Sequence, residues 1–401
     1  MYRKDRKYIM KYKGIVIADI HVGAMDLDKL YVEYKSMLLD KIKSMKKLDF
    51  LIIDGDWFDK KFYLNDKESI YSYKMLKELL TLCKEKDTVV RIVYGTESHE
   101  NNQYDILSLL KIYDKVKVIK YVTKEELLPK MNVLYLPEEH IYDQNDYYKD
   151  YFDKPGEYNY VFGHGVIKYI MSEAATHMEN KKSNRKKVPI FNAGDLIRIC
   201  KGQTFFGHYH INNNIDDKVF YVGSFSRWKF GEEGKKGYYE LEYDTNKEKY
   251  KANYIENTMA DTYNTISYGY DNKIFDSYDD MEATLNKVDD LINKDAFDHV
   301  RFIFNIPTEI ENPEATINYI KERYKYNDQI KLEITHGYIE KKRQAKKEKI
   351  ESENEKYNFI FDKSQALEDV ISRFIEIEYN RSIPSLEVKK YLLDPLTELI
   401  D

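Results

Sequence analysis

From residue 15 onward, short apolar runs alternate with longer stretches whose apolar residues recur at helical spacing. Ile15-Val16-Ile17-Ala18 reads as a buried strand that runs straight into Asp19. Leu27, Leu30, Tyr31, Tyr34, Met37, Leu38, Ile42 and Met45 then follow the period of an amphipathic helix. Phe50-Leu51-Ile52-Ile53 predicts the next strand, ending at Asp54-Gly55-Asp56. Tyr71, Met75, Leu79 and Leu82 mark another helix, and residues 89–94 another strand that stops at Gly95. From about residue 130 the pattern turns β-like, with strand candidates at 133–136, 160–162, 204–206, 220–222 and 238–243. The fold class expected is α/β (α+β), a sheet-rich core with helices outside. Acids and histidines fall where strands end, which is where α/β sheets usually place their chemistry.

A second unit is expected from residue 258. Met281, Leu285, Val288, Leu291 and Ile292 form a helical stripe, and Val300-Arg301-Phe302-Ile303-Phe304 a strand. A further helix (Ile317, Ile320, Tyr324) and a strand at 330–334 complete a small α/β domain without an acid–histidine cluster. The run Glu340-Lys341-Lys342-Arg343-Gln344-Ala345-Lys346-Lys347-Glu348-Lys349 has no core residues and reads as a linker or exposed helix. Beyond it, Leu367, Val370, Ile371, Phe374 and Ile377 predict one amphipathic helix, and Pro384-Ser385 opens another. These two helices either fold back onto the body or dock on a partner. The expected divisions are 1–257, a small domain at 258–338, a linker at 339–362 and a helical tail at 363–401.

Composition narrows the setting more than the function. A chain of 401 residues is too long for one core. Its net charge of −6, with both signs well mixed, leaves nucleic-acid binding to a local basic patch. The two cysteines, Cys83 and Cys200, have no metal-binding spacing and suit a reducing compartment. Without a signal-like or membrane-length apolar run, the expectation is a cytoplasmic protein with no membrane association.

The candidate chemistry lies in an ordered set: Asp19-x-His21, Gly55-Asp56-x-x-Asp59, Ser98-His99, Gly163-His164 and Gly207-His208-x-His210. A single histidine of this kind is more often structural than a ligand, and D-x-H alone is a weak signal. Five such motifs in order outweigh that reading. Carboxylates and imidazoles without thiolates suit manganese, iron or zinc. In an extended loop, residues two apart can turn toward one ion. A carboxylate such as Asp56 can bridge two ions, and ions about 3.5–4 Å apart can stabilise both the attacking and the leaving oxygen of a phosphoryl displacement.

This ordered set resembles that of the calcineurin-like metallophosphoesterases. A narrower resemblance follows the last motif. Tyr221-Val222-Gly223-Ser224-Phe225-Ser226-Arg227, Phe230-Gly231-Glu232-Glu233 and Lys236-Gly237-Tyr238 are similar to a passage of the SbcD-type DNA double-strand-break repair nucleases, phage-encoded members included. The resemblance spans roughly residues 12–245 by motif, and implies a four-layer α/β/β/α metallophosphoesterase sandwich with a small α/β capping domain and a helical C-terminal tail. It implies one metal held by Asp19, His21, Asp56 and His210, and a second held by Asp56, His164 and His208. Asp59 would orient a ligand or water, and His99 would be the catalytic histidine. The family's asparagine ligand is missing, because Gly95-Thr96-Glu97-Ser98-His99 is longer by two residues. Ser98 takes that place by register, whereas Glu97 is the stronger ligand chemically.

The resemblance further implies a DNA exonuclease/endonuclease of repair or recombination that uses two divalent ions, Mn²⁺ foremost, with Mg²⁺, Fe²⁺ or Zn²⁺ as alternatives. Its partners would be DNA, a second copy of the chain in a homodimer, and an SbcC-like SMC-family ATPase bound through the tail helices. A phage-encoded member would work in the host cytoplasm. Arg227, Lys182 and Arg185 are candidate substrate-binding residues, although the basic loop at 181–187 reads equally well as a solvated surface. A stand-alone small-molecule phosphodiesterase or phosphatase, and a non-catalytic scaffold, are the competing functions.

Overall fold

The computed structural model describes residues 10–110, 113–141, 143–168, 188–268, 278–294, 297–306, 312–336, 366–379 and 381–393. The 181–187 loop, with Lys182 and Arg185, and the 339–362 linker lie outside the described residues. The chain divides into one unit of Met1–Thr265 with Lys294–Val300, and another of Ile266–Asn293 with Arg301–Asp401. The sequence pattern places this boundary slightly earlier, at 257/258.

The strands of the first unit are β1 (Lys11–Ile17), β2 (Phe50–Asp54), β3 (Val89–Val93), β4 (Val116–Ile119), β5 (Thr123–Leu128), β6 (Met131–Leu136), β7 (Tyr158–His164), β8 (Val166–Lys168), β9 (Ile190–Asn192), β10 (Cys200–Gly207), β11 (Asn213–Ile215), β12 (Val219–Tyr221), β13 (Gly237–Asp244) and β14 (Lys249–Glu256). They build two six-stranded mixed sheets, in the orders β14-β13-β1-β2-β3-β4 and β11-β12-β10-β7-β6-β5. β1, β2, β3 and β4 run parallel, as do β6, β7, β10 and β12. The outer pairs are antiparallel.

The alternation of side chains along each strand divides the apolar residues between separate cores. Val16, Phe50, Ile52 and Val93 of the first sheet share one core with Val133, Tyr135, Tyr160, Phe162 and Phe205 of the second. Phe205 stacks on Phe220 at 4.9 Å between centroids. Ile15, Ile17, Leu51 and Ile53 point the opposite way, onto Leu30, Tyr34 and Leu38 and onto Met75 and Leu79 of the helix Lys67–Glu85. Asp26 caps the helix Leu27–Tyr34, its carboxylate accepting from the Lys29 N–H. This helix continues through a π turn at Lys35–Leu39 into Asp40–Ser44. On the far side of the second sheet, Leu134, Leu136, Val161 and Phe206 pack with Leu196 and Ile199 of the helix Ala193–Ile199. Strands buried on both faces read as continuous apolar runs, which is how β2 and the centre of β7 look in the sequence.

In the second unit, β15 (Tyr263–Tyr268), β16 (His299–Ile306) and β17 (Ile330–His336) form a three-stranded sheet. Phe302 and Phe304 pack with Met281, Leu285 and Val288 of the helix Tyr278–Asn293 and with Ile320 and Tyr324 of the helix Pro313–Tyr324. Further on come the helices Leu367–Tyr379 and Ser385–Val388, where Val388 is buried and Leu367, Leu386 and Tyr391 are exposed. Among the described residues, no helix is long and apolar enough to cross a membrane.

Because Phe205 fills the space between the two large sheets, Phe205→Ala should destabilise the first unit by about 3–5 kcal/mol in urea denaturation.

Candidate metal centre

The carboxyl ends of parallel strands from both sheets supply the site. Asp19 and His21 follow β1, Asp56 follows β2, Thr96 to His99 follow β3, Glu138 follows β6, His164 ends β7, and His208 and His210 follow β10. Beyond the last ladder pair, the first two loops remain hydrogen-bonded. The Asp19 N–H donates to the Gly55 carbonyl at 3.2 Å, the His21 N–H to Asp56 O at 3.0 Å, and the Val22 N–H to Trp57 O at 2.8 Å. Asp19, His21, Asp56 and His208 hold positive φ values of 48°, 47°, 47° and 96°. Non-glycine residues in such conformations cost of order 1–3 kcal/mol each and cluster at functional sites. Two glycines allow the loops to close. A Cβ on Gly55, whose φ is +85°, would lie 2.0 Å from His164 Nδ1, and one on Gly207 2.3 Å from the Asp54 carbonyl oxygen.

Two groups of ligand atoms face each other across Asp56. On one side stand Asp19, His21 and His210, and on the other Glu138, His164 and His208, with every ligand atom in a group within 4.8 Å of the others. Asp56 groups with Asp19 and His164, and also with His21 and His99. His21 Nε2 and His210 Nε2 approach to 3.1 Å. His210 Nδ1 meets Glu232 Oε1 at 2.6 Å, so the tautomer that donates to Glu232 turns the Nε2 lone pair toward His21. Similarly, His164 Nδ1 lies 2.9 Å from the Asp54 carbonyl oxygen, which can only accept. This leaves His164 Nε2, buried and without a hydrogen-bond partner, 3.3 Å from Asp56 Oδ2, 3.7 Å from Glu138 Oε2 and 4.0 Å from Asp19 Oδ1. An imidazole lone pair among three carboxylates needs a proton or a cation. A histidine anchored by one nitrogen to a carbonyl is the posture of a metal ligand. The donor set, imidazole nitrogens and carboxylate oxygens with mutually repelling lone pairs, therefore fits a divalent metal.

The remaining expected residues are distributed unevenly. Asp59 Oδ1 lies 3.5 Å from His21 Nδ1, at the outer limit of a hydrogen bond. His99 Nδ1 contacts Asp56 Oδ2 at 3.0 Å from the short helix Glu97–Glu100. Ser98 and Glu97 are exposed, and Glu97 belongs to none of the candidate ligand groups among the described residues. It is Thr96 that faces inward. Its N–H donates to Asp56 Oδ1 at 2.7 Å, and its hydroxyl lies 3.1 Å from both Asp56 Oδ2 and Glu138 Oε2. Glu138 is absent from the sequence expectation. It carries none of the glycine or histidine punctuation of the other motifs, and the available signal was its place just after a strand, behind Pro137.

Arg227 departs from its expected role. It is buried, and its guanidinium donates to the carbonyl oxygens of Gly234 (2.9 and 3.1 Å), Ala260 (3.3 Å) and Asp261 (2.7 Å), so its donors pin loops rather than a substrate. Its neighbour Trp228 reaches the centre instead, with ring centroids 5.1 Å from His21 and 4.9 Å from His210. Buried Lys236 braces the same region, donating to the His210 carbonyl at 2.8 Å and lying 3.4 Å from Glu232 Oε2. Burial holds the Lys236 ammonium down to about 8 despite that carboxylate.

The charges are strongly interdependent. Burial opposes ionisation of Glu138, yet hydrogen bonds from His140 and His208 hold its carboxyl at about 2. Burial also favours neutral His164 and His99, but the adjacent Asp56 carboxylate outweighs it and raises both. Without metal, protons favoured on His164 and His99 would offset part of the acids' charge.

Neither a protein-family model nor a curated protein matches this sequence. A solved structure is similar over 61% of this chain and 100% of its own length, at 12% identity and a TM-score of 0.35.

Three outcomes are expected. A raised histidine stabilises the fold below its unfolded value, about 6.5, and this stability is lost as pH rises through the folded value. Metal-free protein should therefore melt at lower temperature as pH rises from about 6.5 to 8. The added stability from Mn²⁺ should grow over the same window, because binding displaces those protons; scanning fluorimetry with and without chelator measures both. Arg227→Ala should cost about 2–4 kcal/mol of stability by leaving buried carbonyls unpaired, with Mn²⁺ affinity retained in calorimetry on the folded fraction.

Proposed function

We propose that the chain is a two-metal phosphodiesterase acting on DNA, of the SbcD type, built as a four-layer metallophosphoesterase sandwich. The observation that carries this reading is Asp56, a buried carboxylate standing between two groups of candidate ligand residues, the first drawn from both sheets and the second from one. Asp19, His21, Asp56 and His210 would hold one ion, and Asp56, His164 and His208 would contribute to the other. Bound there, a pair of divalent ions would activate water and stabilise the attacking and leaving oxygens of a phosphodiester.

The chain's own groups do the rest. Asp54 and Glu232 fix the orientation of His164 and His210 through their Nδ1 atoms. Asp56, 3.0 Å from His99 Nδ1, raises the pKa of this partly exposed imidazole against the effect of burial and so favours its protonated form. His99 thereby offers a proton to the leaving oxygen of the scissile ester. Trp228 shields the His21 and His210 side of the centre. The passage from Tyr221 to Tyr238, whose resemblance to DNA-repair nucleases supports DNA as the substrate, contributes Glu232, Lys236 and Trp228 to the surroundings of His210. The exposed Leu386 and Tyr391 support a partner-binding role for the tail, with an SMC-family ATPase as the expected partner.

Purified protein with Mn²⁺ should degrade end-labelled duplex DNA. His99→Ala should slow this by about 10²–10⁴-fold while retaining metal, whereas Asp56→Asn should lose metal and activity together. Robust hydrolysis of a small phosphomonoester, without action on DNA, would overturn the reading.

A further inference from the structure

We propose that Glu138 is the missing ligand of the second metal position and that Thr96 ties it to the shared carboxylate of Asp56. This assignment rests on the two-metal reading above and replaces both Ser98 and Glu97 in that role.

Four observations converge on Glu138. The residue is only 5% exposed, so its charge must be compensated locally. Its Oε2 lies 3.0 Å from His208 Nδ1 and 3.7 Å from His164 Nε2, the two imidazoles of the second group. The Thr96 hydroxyl stands 3.1 Å from this same oxygen and 3.1 Å from Asp56 Oδ2, and its one proton can serve only one of them. A cation between the carboxylates removes the conflict. Finally, the backbone is anchored. The Glu138 N–H donates to the Tyr94 carbonyl at 3.0 Å, tying the end of β6 to the end of β3, and His140 Nε2 holds the second carboxylate oxygen at 3.2 Å. Ser98 and Glu97 have no such environment, since both side chains are exposed on the first turn after Thr96.

The substitution has a chemical consequence. A carboxylate in place of a neutral carboxamide adds negative charge to the centre, so a loaded site is less positive and binds its second ion more tightly. An oxygen-rich second position also suits Mn²⁺ or Mg²⁺.

Mn²⁺ titration by calorimetry, with electron paramagnetic resonance to detect a coupled ion pair, tests the assignment without any activity measurement. Wild-type protein should take up two ions. Glu138→Gln, which removes the charge at nearly constant volume, should weaken the second at least about tenfold and abolish the coupled signal. Glu138→Asp should recover part of the loss, and Ser98→Ala and Glu97→Ala should bind as wild type. Thermal melts identify any variant that does not fold, and should Glu138→Gln be one, Glu138→Asp carries the test by weakened second-ion binding. A wild type that binds fewer than two ions, a folded Glu138 variant with unchanged second-ion affinity, or loss of the second ion in Ser98→Ala or Glu97→Ala would overturn the proposal. Two-ion binding that requires Glu138, without any DNA cleavage, would remove the nuclease reading and leave this ligand in place.

Discussion

Three carboxylates, those of Asp19, Asp56 and Glu138, are buried together with the imidazoles of His21 and His164, and the partly buried His208 and His210 complete the cluster. Such an arrangement is stable only if positive charge enters it, because an unpaired carboxylate in a low-dielectric interior is among the most unfavourable groups a fold can bury. A proton on His164 meets the requirement in part. Divalent ions meet it more completely, since they satisfy lone pairs on both residue types at once. The cross-sheet hydrogen bonds follow from the same need. The His208 N–H donates to both Asp19 oxygens, the Gly163 N–H to Asp54, and the Asp54 carbonyl oxygen pairs with His164.

The scaffold converts this electrostatic demand into fixed geometry. Parallel strands from two opposed sheets end at one edge, so the residues just beyond them converge although they lie far apart in the chain. Adjacent loops hydrogen-bond to each other, and four site residues accept left-handed backbone conformations. The glycines that precede Asp56 and His208 are required by packing against His164 and Asp54. Strain concentrated where strands end, on a rigid double-sheet core, is the pattern of a site preorganised for a bound group.

Much of this was legible in the sequence, and the exceptions have physical causes. The buried strands announced themselves as apolar runs, and the helices as periodic stripes. β4, β5 and β14 were not evident because their exposed, charged residues break the apolar pattern, as in Lys-Tyr-Lys-Ala-Asn-Tyr-Ile-Glu of Lys249–Glu256. Asp19, His21, Asp56, His164, His208 and His210 stand out because each lies at or just beyond a strand end in a spaced motif, and the fold brings all six into groups of side chains that could hold a metal ion. Ser98 was placed by register across an insertion. Register does not survive an insertion whose extra residues begin a helical turn, and the turn at Glu97–Glu100 points Ser98 outward while Thr96 faces Asp56. Arg227, a basic residue after a loop motif, reads either as a phosphate contact or as a partner of Glu232 or Glu233. Sequence does not show that carbonyl oxygens already surround it.

Anomalous diffraction from crystals grown with Mn²⁺ decides whether Asp56 joins two metal positions. Two anomalous peaks should flank the Asp56 carboxylate, one among Asp19, His21 and His210 and the other among Glu138, His164 and His208. A single peak on one side of Asp56, or manganese bound only elsewhere on the molecule, would contradict that role.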